Sequence, residues 1–225
     1  QGVLKVSFRI SLQSTQSPEA LSAWLRHGEI EANKMSAEEF RASAFKKALK
    51  EIKELVKYTG KAGFFRELQQ ICAGAGVKVI YTPGLSKAPI NGATRFIGSH
   101  PVIQLSNRYK WHDHFWFNFF HEAGHILKHG RKEIFLEGVR YDDADQAKEE
   151  EADHFAANNL LPSEVFDKLK EQENIKGTAI KRAARQANTH PGIVVGRLQH
   201  ERILGHDQFN ELRERMDLEK IKKTG

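Results

Sequence analysis

At 225 residues, with 40% hydrophobic and 28% charged side chains, the chain has the composition of a soluble globular protein and enough length for one sizeable core. No apolar run approaches the roughly 18 residues of a membrane span, and Gln1-Gly2-Val3 opens no charged-then-apolar signal pattern. The formal charge of +6 is spread over several helices and is densest at Lys220, Lys222 and Lys223. With no zinc-finger spacing, RNA-binding aromatic pair or phosphate-binding glycine loop beside it, solvated helix faces account for this charge.

In chain order, Ser17-Pro18-Glu19 announces a helix to about Asn33. Ser36-Ala37-Glu38-Glu39 has the form of a capping box and predicts a second helix from there to about Tyr58. A third helix, about Ala62 to Ala73, carries Cys72 among Leu68, Ile71 and Ala75, so Cys72 reads as a small core residue. As the only cysteine it cannot form an internal disulfide, which suits a reducing cytoplasm. Val77 to Tyr81, Ala93 to Ile97 and Val102 to Leu105 read as strands, with a turn over 98–101. Three strands after three helices predict a helix-rich α+β fold with a small, mostly antiparallel sheet. A long helix follows from about His112 to Lys128, closed by Gly130, and 134–136 reads as a short strand. Ala144 to Leu161 is helical up to Pro162, and shorter helices cover 163–173, 177–188 and 191–204. Asp207 caps a charged, exposed terminal helix.

The chemistry is carried by His121-Glu122-Ala123-Gly124-His125. Histidines four residues apart on a helix project from one face, so two ring nitrogens can reach one ion at roughly 2.0–2.1 Å. Glu122 lies beside that ion without having to bind it, and can take a proton from the attacking water. With 11 His and 21 Glu, chance alone produces H-E-x-x-H in roughly one such chain in twenty, so context has to decide. Here the motif interrupts a strongly apolar helix, after Phe115-Trp116-Phe117 and Phe119-Phe120, where two histidines and a glutamate are costly to bury unless a metal satisfies them.

A third protein ligand is sought in Glu149-Glu150-Glu151-Ala152-Asp153-His154-Phe155-Ala156-Ala157. Glu149, Ala152, Asp153 and Ala156 share a helix face, and the two alanines permit close packing. Glu149 is the favoured ligand and Glu151 its rival, while Asp153 accepts a hydrogen bond from a ligand histidine. Asn118, one turn before His121, lines the cleft; His190, before Pro191, either starts a helix or stabilises an oxyanion. His112, His114 and His154 read as surface or supporting residues.

His121 to His129, preceded by Asp113-His114-Phe115-Trp116-Phe117, resembles the ImmA/IrrE family of zinc metallopeptidases. So do Glu149-x-Glu151-Ala152-Asp153-x-Phe155-Ala156-Ala157 with Leu160-Leu161-Pro162, the segment Pro191 to Gln199, and Ala23 to Glu29. Where the family pattern usually has Met before that proline, this chain has Leu161. The resemblance implies a gluzincin-like, zincin-fold domain with zinc on His121, His125 and Glu149, and Glu122 as the catalytic residue. It also implies an endopeptidase acting on a regulatory protein partner, a repressor or toxin, as in stress-response and HigA-like antitoxin regulators. Close relatives often carry an N-terminal helix-turn-helix DNA-binding domain. None is read here, so DNA contact would need a domain outside this chain, and the chain reads as an excised C-terminal portion.

The expected organisation is a helical segment over 1–60, a zinc metallopeptidase-like domain over 61–205 and a charged helix over 206–225. Val102 to Leu105 or Ala93 to Ile97 would lend its edge to an extended substrate. The competing reading is a non-catalytic module that keeps the zincin fold to sense a ligand or bind a toxin. Glu122 weighs against it, because metal binding alone does not need that carboxylate.

Overall fold

The computed structural model describes residues 17–58, 63–85, 90–106, 108–129, 135–136 and 143–218. Helix α1 (Pro18–Asn33) starts where Ser17 Oγ accepts from Ala20 N at 3.2 Å, with proline in the first turn. Helices α2 (Ala42–Leu55) and α3 (Phe64–Gly74) lead into β1 (Lys78–Tyr81) and the hairpin β2 (Gly92–Ile97) and β3 (His100–Leu105). The hairpin turns at Gly98, whose φ of +62° suits a residue without a Cβ. Then follow α4 (His112–Lys128), β4 (Phe135–Leu136), α5 (Asp143–Leu160), α6 (Ser163–Lys170), α7 (Gly177–Gln186) and α8 (Pro191–His200). No helix among the described residues is long and apolar enough to cross a membrane.

The sheet order is β1-β3-β2-β4. β3 pairs in parallel with β1 (Lys78 opposite Val102) and antiparallel with β2 (Gly92 opposite Leu105), and β2 pairs antiparallel with β4 through Ala93 and Thr94. Two of the three pairings are thus antiparallel. Alternation along β3 divides the two faces: Ile103 and Leu105 join the α4 aromatics, while Val102 packs with Ala32 and Gln104 donates to Trp24 O at 2.7 Å on the α1 side. Being interior, β3 has no edge to offer a substrate. β2 is flanked by β4 at Ala93 and Thr94, which leaves its 95–97 stretch as the part that could serve.

The main core surrounds α4. Phe115, Trp116, Phe119, Phe120 and Ala123 are buried against α2, α3 and β3, and Phe64 meets Phe115 edge to face with ring centroids 5.7 Å apart. A second cluster ties α6, α7 and α8 together through Phe166, Ile180, Val194 and Leu198. Lys53 of α2 donates to the carbonyls of Asn159 and Leu160 at the end of α5, both at 2.5 Å, and burial pulls its pKa down to about 8.

Three expectations are corrected. Residues 36–41 are not the first turns of α2, which starts at Ala42 without a side-chain cap. Glu38 N instead donates to Ala73 O at 2.9 Å, and Gly76, with φ +83°, lies directly under the Phe40 backbone, so tertiary contacts hold the segment extended. Over 206–217 the expected terminal helix is replaced by a 3-10 turn (Asn210–Leu212) and non-helical chain; Leu218 is helical, and 219–225 lie outside the described residues. Met216, in the non-helical stretch, and Leu218, which is helical, are both buried in the core around α4. This strap runs beside the start of α4, with His112 N bonded to Glu214 O at 3.0 Å and Arg213 paired with buried Asp113 at 2.7 Å.

His112 is also not a surface residue. It is fully buried, accepting from Trp116 Nε1 at 3.1 Å, with its ring 4.8 Å from that of His190. Burial, reinforced by His190, pushes its pKa down to about 3 against weaker opposition from the Val56 and Tyr58 carbonyls. The unfolded chain therefore binds a proton on His112 below pH ~6.5 that the folded chain refuses, so stability is full above that pH and falls as acid is added. Urea denaturation should show a loss of about 2 kcal/mol from this group between pH 6.5 and 5. His112→Asn should flatten that slope; an unchanged slope would show that other groups set the acid limit.

Candidate active site

The H-E-x-x-H turn lies in the C-terminal half of α4, where one side of the helix meets β2 and another meets α5. Gly124 makes the second contact possible. A Cβ there would stand 3.2 Å from Ala152 Cα and 3.2 Å from the Phe155 ring, so α5 approaches as closely as a bare backbone permits. Ala152 and Ala156, both fully buried, supply the matching small face. The close approach brings Glu149, one turn before Ala152 and Asp153, over the two histidines.

His121 Nε2 and His125 Nε2 lie 3.0 Å apart. Glu149 spans both, with Oε2 at 3.3 Å from His121 Nε2 and Oε1 at 3.4 Å from His125 Nε2. Asp153 Oδ1 accepts from His121 Nδ1–H at 2.8 Å, which fixes the tautomer and turns the Nε2 lone pair toward Glu149 and His125. Two ligands of one tetrahedral zinc ion stand about 3.3 Å apart when each bond is roughly 2.0–2.1 Å. The three observed separations match that edge length, so the residues fit a divalent ion.

Charge points the same way. Burial alone would raise the Glu149 carboxyl, but the facing His121 and His125 rings outweigh it and hold the pKa down to about 2. Burial pushes His125 down to about 4, with Glu149 pulling the other way. At neutral pH the pocket thus presents a carboxylate beside a neutral His125 imidazole, the protonation states that a metal requires.

Glu122 faces the opposite side of α4 from α5. It is wholly buried against the start of β2, and Thr94 Oγ1 donates to its backbone carbonyl at 3.0 Å. A Cβ on Gly92 would fall 2.5 Å from Glu122 Oε1, so the carboxylate occupies room that only glycine leaves. Asn118, also buried, is one turn earlier on the Glu122 side of the helix. Gly92→Ala should displace the carboxylate and lower turnover about tenfold to a hundredfold while leaving metal affinity unchanged. Unaltered turnover in a folded Gly92→Ala protein would show that the carboxylate position is not critical.

Other candidates lie elsewhere. Glu151 points away from the histidines, to Lys128 Nζ at 2.9 Å and His129 Nδ1 at 3.9 Å. His154 is exposed. His190 is the N-cap of α8, its Nδ1 accepting from Gly192 N at 3.0 Å and its Nε2 3.6 Å from Glu214. Through its contact with His112 it sits nine residues, about 13 Å of helix axis, from His121, and is not brought to the metal pocket. Gly92 and Gly124 went unnoticed in sequence. Gly124 stands inside the motif and signals a close helix approach, whereas Gly92 has no local signal.

A helix-rich α+β domain in which two histidines of an H-E-x-x-H helix meet a glutamate from a second helix defines a zincin-like, metallopeptidase-type protein. Residues 72–195, just over half of the chain, match the peptidase M78 family model, described as the IrrE N-terminal-like domain, and the chain belongs to that family. No curated protein matches the chain.

Proposed function

We propose that this chain is a zinc-dependent endopeptidase in which His121, His125 and Glu149 hold the ion and Glu122 is the general base. The observation that carries the proposal is the triangle of two Nε2 atoms and one carboxylate, with separations of 3.0, 3.3 and 3.4 Å, one residue away from a buried glutamate. Zinc held there would polarise the scissile carbonyl and bring the acidity of water near neutrality.

The chain's own groups do the rest. Glu122 takes the proton from the attacking water and later delivers it to the leaving amine. Held between β2 and α4, its carboxylate spends no energy on reorientation when the proton moves. Asp153 keeps the His121 ring in the ligating tautomer. Substrate enters where Glu149 and Asp153 reach solvent, since Glu122 is sealed from the other side by Gly92. Asn118 lines the Glu122 side of the cleft.

The family resemblance makes a regulatory protein, a repressor or toxin in a stress-response or toxin–antitoxin setting, the first substrate to test. Zinc-loaded protein should cleave an unstructured protein substrate, lose that activity with a chelator and regain it with zinc. A preparation holding one zinc per chain that cleaves no such substrate would favour the ligand-sensing or toxin-binding alternative.

A further inference from the structure

Six cations on two helices have no part in the site described above. On α2, Lys46 and Lys50 form an i, i+4 stripe with Lys47 beside them, all exposed. On α7, Lys181 and Arg185 form a second stripe with Arg182 beside them, also exposed, and the helix contains no acid. Each stripe is roughly 10–12 Å long when followed to the residue that ends it, Glu54 on α2 and Asn188 just beyond α7. These two residues meet: Asn188 Nδ2 donates to Glu54 Oε1 at 2.5 Å. The two stripes therefore converge at one junction. Glu54 is also engaged by Lys57, which leaves Glu51 as the other acid on these faces. None of the six cations makes an ion pair or side-chain hydrogen bond among the described residues, unlike Lys34, Lys128 and Lys170, which each hold a carboxylate.

We propose that this two-helix band is a binding surface for the phosphate backbone of duplex nucleic acid, reached without any additional DNA-binding domain. Unpaired Lys and Arg at helical intervals suit a ligand with regularly spaced anions, because each cation can neutralise one phosphate and release its counterions. With Glu51 and Glu54 set against its six cations, the band carries a net charge of +4. A duplex bound here would be read by charge rather than by base sequence, since lysines dominate the band and no aromatic residue is interleaved with them. The proposal is independent of the peptidase reading, so a Glu122→Gln chain should bind as the original does.

The test is titration of the full chain into a labelled duplex of arbitrary sequence from about 50 to 200 mM salt. The double variant Lys50→Glu/Arg185→Glu is compared with Arg26→Glu/Lys34→Glu at α1, which changes the charge equally at exposed positions. The band variant should bind at least about tenfold more weakly, with a salt slope shallower by about two, while the α1 variant stays within about threefold. Thermal melting of both variants, whose changed residues are exposed, establishes that each is folded. No binding by the original chain at about 50 mM salt, or equal losses in the two variants, would overturn the proposal. So would displacement of the duplex by a polyglutamate peptide at equal charge, which would assign the band to an acidic protein.

Discussion

Glu122→Gln is expected to lower peptide hydrolysis about a thousandfold while the protein keeps its metal. The substitution preserves shape, so packing against Gly92 and the Thr94 hydrogen bond to the Glu122 carbonyl persist. What disappears is a group able to accept a proton. Because His121, His125 and Glu149 are untouched, metal content should be unchanged, and because the lost interaction matters only as the proton moves, the deficit should fall on kcat rather than KM. Initial rates at saturating substrate, with metal content measured on the same preparations, decide it. A fully active variant would remove Glu122 from the reaction.

Glu149→Ala should lower zinc affinity by more than about a hundredfold, since even supporting residues of metal sites cost ten- to a hundredfold. Removing it takes away the only carboxylate among the described residues that faces both Nε2 atoms, at 3.3 and 3.4 Å. Glu151→Ala should change affinity little, because its carboxylate is turned to Lys128 in an exposed pair that solvent screens. Asp153→Asn should fall between them, weakening the hold on the His121 tautomer without removing a ligand. Competition against a chelating dye gives all three values. Equal losses for Glu149→Ala and Glu151→Ala would mean that the carboxylate is not assigned correctly.

Much of the site could be read in sequence because it rests on local geometry. His121 and His125 share a helix face by periodicity, and Ala152 and Ala156 mark the stripe along which a second helix can close in. The choice of Glu149 over Glu151 could be narrowed by the same spacing, since Glu149 shares a face with Ala152, Asp153 and Ala156 while Glu151 is turned toward Lys128. Helix limits set by prolines and caps, as at Ser17-Pro18 and His190-Pro191, were equally accessible.

What escaped was non-local. The parallel pairing of β1 with β3, and β3's place inside the sheet, depend on chain crossings that no short window contains. The capping-box pattern at Ser36 is overridden by the contacts of Glu38 with Ala73 and of Phe40 with Gly76, which are distant in sequence. The terminal segment looks helical because its charges dominate its composition, yet 206–217 holds a 3-10 turn and non-helical chain, with Met216 buried in the core around α4. Gly92 belongs in the same group: its importance lies in Glu122, which reaches it only in the folded chain.

Zinc-edge X-ray absorption on protein loaded with one equivalent of zinc tests the site most directly. The expected spectrum has only nitrogen and oxygen neighbours at roughly 2.0–2.2 Å, in a four-coordinate shell with the outer-shell scattering of two imidazoles. A six-coordinate oxygen shell, or imidazole scattering that survives in a His121→Ala/His125→Ala chain, would place the ion elsewhere and undo the assignment.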